Sequence, residues 1–275
     1  MRFALRSVVR PIRLLSLACV VTLAAGMLQA QPARPNPVAA KQAQNSSALL
    51  KKQATDLTTK YAQATGETKT AVDALATALN AASAAQAKAA GAYEAGVVSD
   101  VAAAAAEVAK NSAAVSHARD LLTVLESQAT FASEAQVATW RKATTDPSMP
   151  QLEALLAARK TAAAAFGKVA AALTANAPFD VVETARDEAF VASKEVLLAN
   201  RAWMASCDIA RRIATAAKTN NEGLVTKVDE LKKTDTELLA LMKQQIELDL
   251  KFRKLERQRA LGVAAANELA KAKKK

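Results

Sequence analysis

The residue types that carry most enzyme chemistry are sparse in this 275-residue chain, which has a single histidine and two cysteines. His117 and Asp120 are three residues apart, a spacing that suits a surface pair on a helix. A two-histidine metal site within one chain is excluded outright. Carboxylates occur as neighbours at Asp187-Glu188 and Asp229-Glu230. Adjacent residues on a helix point about 100° apart, so neither pair converges on a substrate. Glu183 and Asp187 do share a face, but Arg186 lies beside them, and the expectation is a solvated charged face. The seven glycines are scattered singly, so no phosphate-cradling loop is present. The reading is therefore non-enzymatic, with no cofactor and no metal.

Basic residues are the other candidates. The formal net charge is +11. Four of those charges are Arg2, Arg6, Arg10 and Arg13, and residues 31–250 balance 24 basic against 24 acidic side chains. The surplus sits at the end: Lys251, Arg253, Lys254, Arg257, Arg259, Lys271, Lys273, Lys274 and Lys275, against Glu256 and Glu268. Basic residues late in a helix complement its macrodipole. They also suit an anionic surface: lipid headgroups, an envelope polymer or an acidic protein. These nine residues are the candidate contacts for such a surface. Nucleic acid fits the charge but not the export signal described next, and no aromatic residues interleave with the terminal lysines to stack on bases.

Residues 1–30 read as an address. After the arginines, residues 14–28 carry no charge, and small Ala30 precedes Gln31-Pro32. Basic region, apolar region and small residue at the cut make a secretory signal peptide, with Ala24-Ala25-Gly26 as a second cut site. The apolar run is shorter than the roughly twenty residues needed to span a bilayer, so a retained anchor is the lesser alternative. Leu17-Ala18-Cys19 partly matches a lipobox, but an apolar run continues where a polar linker belongs. With the signal removed, Cys207 is the remaining cysteine, and its place after Trp203 and Met204 suits buried packing.

The elements that must position these residues are helices. The chain is 51% hydrophobic but 4% aromatic, and about a quarter of the residues after 30 are alanine. Alanine favours helix and buries little surface, which implies long helices with close seams. Residues 31–46 hold three prolines and read as a flexible linker. Breaks follow at 91–96, 146–150, 176–178 and, more softly, 220–223, with Gly66 as a kink. Between them, apolar residues recur at alternating steps of three and four, the heptad signature. One seam is 101, 104, 108, 111, 115, 118, 122 and 125, with Asn111 as a polar exception that would fix register. A second runs from Val182 through Trp203 to Ala217. The last segment carries a wider stripe: Leu224, Val228, Leu231, Leu238, Leu241, Met242, Leu248, Phe252 and Leu255. Ser148 with Gln151, Asp180 with Glu183, and Ser99 read as helix starts.

The expected architecture is all-α: an elongated antiparallel bundle of four or five long alanine-rich helices over residues 47–275, with coiled-coil-like seams. The function that follows is an exported, non-enzymatic scaffold or interaction module of a bacterial-type envelope, docking its basic end on an anionic surface. A carrier or chaperone-like bundle, with an apolar groove near Phe190 and Trp203, is the alternative. A membrane-active helical protein is the third. The partner is a protein or an anionic envelope surface, membrane contact is compatible with the apolar patches, and an alanine seam also suits homo-oligomerisation.

Overall fold

A computed structural model describes residues 34–219 and 221–272, without the side chains of residues 268 and 270–272. The signal peptide expected at residues 1–30 lies outside the described residues. Among those residues the chain is a bundle of packed helices with no strands. The helices are α1 (Pro37–Lys60), α2 (Gly66–Ala95), α3 (Val98–Ala132), α4 (Glu134–Ala143), α5 (Met149–Thr174), α6 (Phe179–Thr219) and α7 (Glu222–Ala272), with a 3-10 turn at Asp146–Ser148. Six of them are long, one more than the four or five expected. The extra elements come from two breaks: Gly66 starts a helix rather than kinking one, and α3 stops at Ala132, where the sequence offers only Ser133 as a signal. No described helix is long and apolar enough to cross a membrane.

The flexible linker expected over 31–46 is also corrected, because residues 37–46 are helical. Asn36 and Pro37 are a helix start. The Asn36 side chain accepts a hydrogen bond from Ala39 N at 3.0 Å, and Pro37 occupies a first-turn position that has no intrahelical partner for an N–H anyway.

Packing divides the chain into two units, one ending at Asp120 and one beginning at Leu121. In the first, α1 and α2 run antiparallel. Ser47 and Ser83 face each other with their hydroxyls 3.0 Å apart, and each hydroxyl donates to the other residue's carbonyl at 2.8 Å. Only small side chains permit such close backbones. The adjoining core is built almost wholly from alanine: Ala43, Ala85, Ala89, Ala90 and Ala104, with Val108. The α3 seam follows the heptad, with six of its eight positions buried and Val101 and Asn111 half-buried. Asn111 does not fix register across a seam, since its amide donates to Glu107 O one turn back in its own helix, at 2.8 Å.

In the second unit α6 is the shared partner of α5 and α7. Lys168 pairs with Glu188 and Gln151 with Ser206, so α5 and α6 run in opposite directions. The turn between them is a Schellman motif, with Asn176 at φ 48° and Ala177 N donating to Ala172 O at 2.9 Å. Arg257 pairs with Asp187 and Asp235 with Arg201, which sets α7 antiparallel to α6. The core joins Leu152, Leu155, Val169 and Leu173 of α5 to Val182, Val196 and Trp203 of α6. The α6 seam holds to Ala210 and then fails: Ile213 is exposed and Ala216, not Ala217, is buried.

Of the three expected helix starts, Ser148 is the N-cap residue of α5 but makes no side-chain cap, and the other two are corrected. Ser148 has φ −103° and ψ 1°, outside the extended region a capping residue needs, and its buried hydroxyl has no hydrogen-bond partner. Asp180 lies inside the first turn of α6, because the helix already begins at Phe179. Ser99 likewise lies inside α3 and donates to Asp100.

Candidate functional site

Glu183 and Asp187 are not a solvated face. Both are buried, at 9% exposure, and both point at Arg257 of α7. Arg257 Nη2 donates to Asp187 Oδ1 at 2.7 Å, and its Nε lies 3.0 Å from Glu183 Oε2. Arg186 reaches Glu183 Oε1 at 2.8 Å. The hydrogen bond to Asp187 raises the Arg257 pKa above its ordinary value, with the charges of Asp187 and Glu183 acting in the same direction against burial. Arg253 lies over the Phe190 ring at 4.5 Å, and Lys194 over the same ring at 5.2 Å. These residues fasten the C-terminal half of α7 to the N-terminal half of α6.

The basic cluster is therefore split. Arg253 and Arg257, expected at an anionic surface, turn inward, because the buried carboxylates on α6 need countercharges. Lys251, Lys254 and Arg259 are exposed. The side chain of Lys271, and Lys273, Lys274 and Lys275 altogether, lie outside the described residues.

The wide apolar stripe expected on α7 resolves into two faces. Val228 and Ile246 are buried and Met242 half-buried. Leu231, Leu238, Leu241, Leu248, Phe252 and Leu255 remain outside, with exposures from 37% at Leu231 to 66% at Leu248. From Leu261 onward every described side chain of α7 is exposed.

An open groove of about 970 Å³ runs between α5, α6 and α7. Apolar residues such as Ala164, Ala165 and Ala192 share its walls with charged ones, Lys168, Glu188 and Lys254 among them. This is not where a groove was expected. Trp203 is buried against Trp140, ring centroids 5.6 Å apart, and its Nε1 donates to Thr144 Oγ1 at 3.1 Å. Phe190 is covered by Arg253 and Lys194.

Arg159 is the functional-looking residue that sequence reasoning missed. It is 5% exposed, donates to Thr130 O near the end of α3 at 2.7 Å, and lies 4.8 Å above the Trp140 ring. Burial lowers its pKa. A signal was available: the three–four steps of α5, through Leu152, Leu155, Ala162 and Val169, pass through position 159. Its contacts are structural, a cation closing the carbonyl end of a helix.

His117 is exposed, as its heptad position implies. Cys207 carries a free thiol, is half-buried, and packs against the Trp203 core. Among the described residues no group of three or more His, Cys, Asp or Glu side chains could hold a metal ion. No protein-family model, no curated protein and no solved structure matches this chain.

Proposed function

We propose that the chain is a non-enzymatic, exported helical interaction module whose docking element is α7, with its basic end on an anionic envelope surface. One observation carries this reading. The last part of the 51-residue α7 leaves Lys251, Lys254, Arg259 and every described side chain from Leu261 exposed. The buried charged side chains of the second unit are committed inward. Glu183 and Asp187 are neutralised by arginines, and Arg159 serves a helix end. Juxtamembrane lysines and arginines contribute about 1 kcal/mol each near an anionic lipid surface, and the sequence carries four further lysines at 271 and 273–275.

Co-sedimentation tests the reading. The protein should pellet with vesicles containing phosphatidylglycerol, not with pure phosphatidylcholine, and salt should release it. Replacing Lys254, Arg259, Lys271, Lys273, Lys274 and Lys275 by glutamine should weaken pelleting at least about tenfold. Equal pelleting of that variant at low salt would sink the reading.

The groove between α5 and α7 supports a second reading, a carrier for a slender apolar ligand. Ala164→Phe, at an exposed position on the wall, would fill the groove and should abolish uptake of a fluorescent fatty acid. Uptake unaltered by that change would remove the carrier.

A further inference from the structure

The exposed apolar face of α7 has the spacing of a coiled-coil seam, with the opposite charges Glu237 and Lys251 along one flank. Leu231, Leu238, Gln245 and Phe252 form one heptad row, and Thr234, Leu241, Leu248 and Leu255 the other. All eight side chains are exposed. Lys227, which lies 2.7 Å from Glu230, and Arg259 continue the two rows, close the apolar run at both ends and meet as like charges in an antiparallel pair centred on residue 243. We propose that this face pairs, antiparallel, with the same face of a second copy about a two-fold axis at residue 243.

The register follows from the residues. Antiparallel pairing sets one row against the other. With the axis at 243, Leu231 meets Leu255 of the second copy, Thr234 meets Phe252, Leu238 meets Leu248 and Leu241 meets Gln245. Every large residue then faces the second copy's opposite row. In the same register Glu237 falls beside Lys251 of the second copy, twice by symmetry, and Gln244 beside its own counterpart. Glu237, Gln244 and Lys251 are all exposed. On the other flank Asp235 faces Asp249, but each already has a cation on α6: Arg201 lies 3.4 Å from Asp235 and Lys194 3.5 Å from Asp249. A parallel pair would instead bring Glu230 beside Asp235 and stack Gln245 and Thr234 on themselves.

Space and area agree. Val228, Met242 and Ile246, which turn inward, lie roughly a third of a turn from the stripe around the helix axis, so α6 leaves the stripe open. With about 100 Å² of apolar surface per exposed side chain, six residues from each copy remove on the order of 1,200 Å² from water, the lower edge of the roughly 1,200–2,000 Å² of specific interfaces. Isologous pairing also closes, leaving no complementary surface to propagate.

The dimer is a property of the protein in solution and stands apart from surface docking, so the two fail separately. Sedimentation equilibrium of the protein purified from its cells, with no vesicles present, should show a reversible monomer–dimer equilibrium. Glu237→Lys sets like charges together twice and should weaken the dimer about tenfold. Adding Lys251→Glu to that variant should restore it, because the pairs re-form with exchanged signs. Both positions are exposed, so neither change threatens folding. Leu248→Glu should leave a folded monomer. A monomer at all concentrations up to about 100 μM, the order expected for weak interfaces, overturns the proposal. So does a dimer indifferent to Leu248→Glu, or one that the double charge exchange leaves weakened. A monomer that binds phosphatidylcholine vesicles and loses that binding on Leu248→Glu assigns the stripe to lipid instead.

Discussion

Arg257 on α7 donates to Asp187 on α6 at 2.7 Å, and the same guanidinium lies 3.0 Å from Glu183. Two carboxylates one helical turn apart are thereby held out of water by a cation 70 residues later in the chain. Removing the cation leaves both acids buried with only Arg186 and the more distant Arg253 near them. Arg257→Ala should therefore destabilise the protein by about 2–3 kcal/mol, less than a fully buried pair, because the Arg257 side chain is 22% exposed. Urea unfolding measures the loss. The double variant Arg257→Ala with Asp187→Ala should be no less stable than the arginine variant alone, and additive losses would contradict the coupling. The sign of the pH effect follows from the raised pKa. The pair's contribution through Arg257 is complete below the unfolded pKa and is lost only as pH rises through the still higher folded one. The clamp therefore stays intact at every neutral and moderately alkaline pH, and stability between pH 7 and 9 should be unaffected by it.

Arg159 is the reverse case, a single buried cation whose partners are a backbone carbonyl and a ring. Its Nε has no hydrogen-bond partner among the described residues. Arg159→Met keeps the apolar stem and removes the charge, and should cost about 1–2 kcal/mol through the unpaired Thr130 carbonyl. Arg159→Ala also empties the space beneath Trp140 and should cost about 3 kcal/mol. Denaturation of both variants, followed by tryptophan fluorescence, would order them. Equal losses would mean that the stem packing contributes nothing.

The alanine core of the first unit is tight rather than merely small. Ala89 is 2% exposed, among Ala43, Ala85 and Ala104. Ala89→Leu should cost about 1–3 kcal/mol, since the backbones must part to admit the side chain. Ala87→Leu, two residues away on the exposed side, should stay within about 0.5 kcal/mol. Thermal unfolding of the pair checks this, and a harmless Ala89→Leu would mean a loosely packed seam.

The helical class was legible because alanine content and three–four periodicity are local properties. The α3 seam and the first four heptads of α6 were readable for the same reason. What failed was partnership. A heptad stripe says which residues want covering, not whether another helix in the same chain covers them, so the two faces of α7 merged into one. Charge has the same ambiguity. Lys251 and Arg253 belong to one basic run, yet one faces water and the other Phe190, and only the position of α6 separates them. The start of α1 was missed because Asn36-Pro37 reads equally as a break and as a cap. Which it is depends on the alanines that follow finding a partner in α2.

Glycine supplies a final, sharper contrast. Gly66 and Gly96 both adopt left-handed backbone, φ 59° and 67°. Each would strain any other residue by roughly 1–2 kcal/mol. Their surroundings differ. A Cβ at Gly66 meets nothing within 4 Å, whereas one at Gly96 would lie 2.5 Å from Pro35 N and 2.6 Å from the Arg34 carbonyl carbon. The contacts at Gly96 are backbone atoms, and that backbone is fixed: Asn36 N donates to Tyr93 O at 2.8 Å and the Asn36 side chain caps α1. Gly66→Ala should therefore lower stability by about 1 kcal/mol, the backbone strain alone. Gly96→Ala must also displace residues 34–36, and should cost about 3 kcal/mol or more, because the Asn36 cap is strained with it. Urea midpoints of the two variants decide the matter. If they coincide, the close approach of residues 34–36 to the end of α2 contributes nothing to stability. If Gly96→Ala is the weaker by the margin given, the turn after α2 is a seat for the start of α1, and the first unit is tied together at that corner.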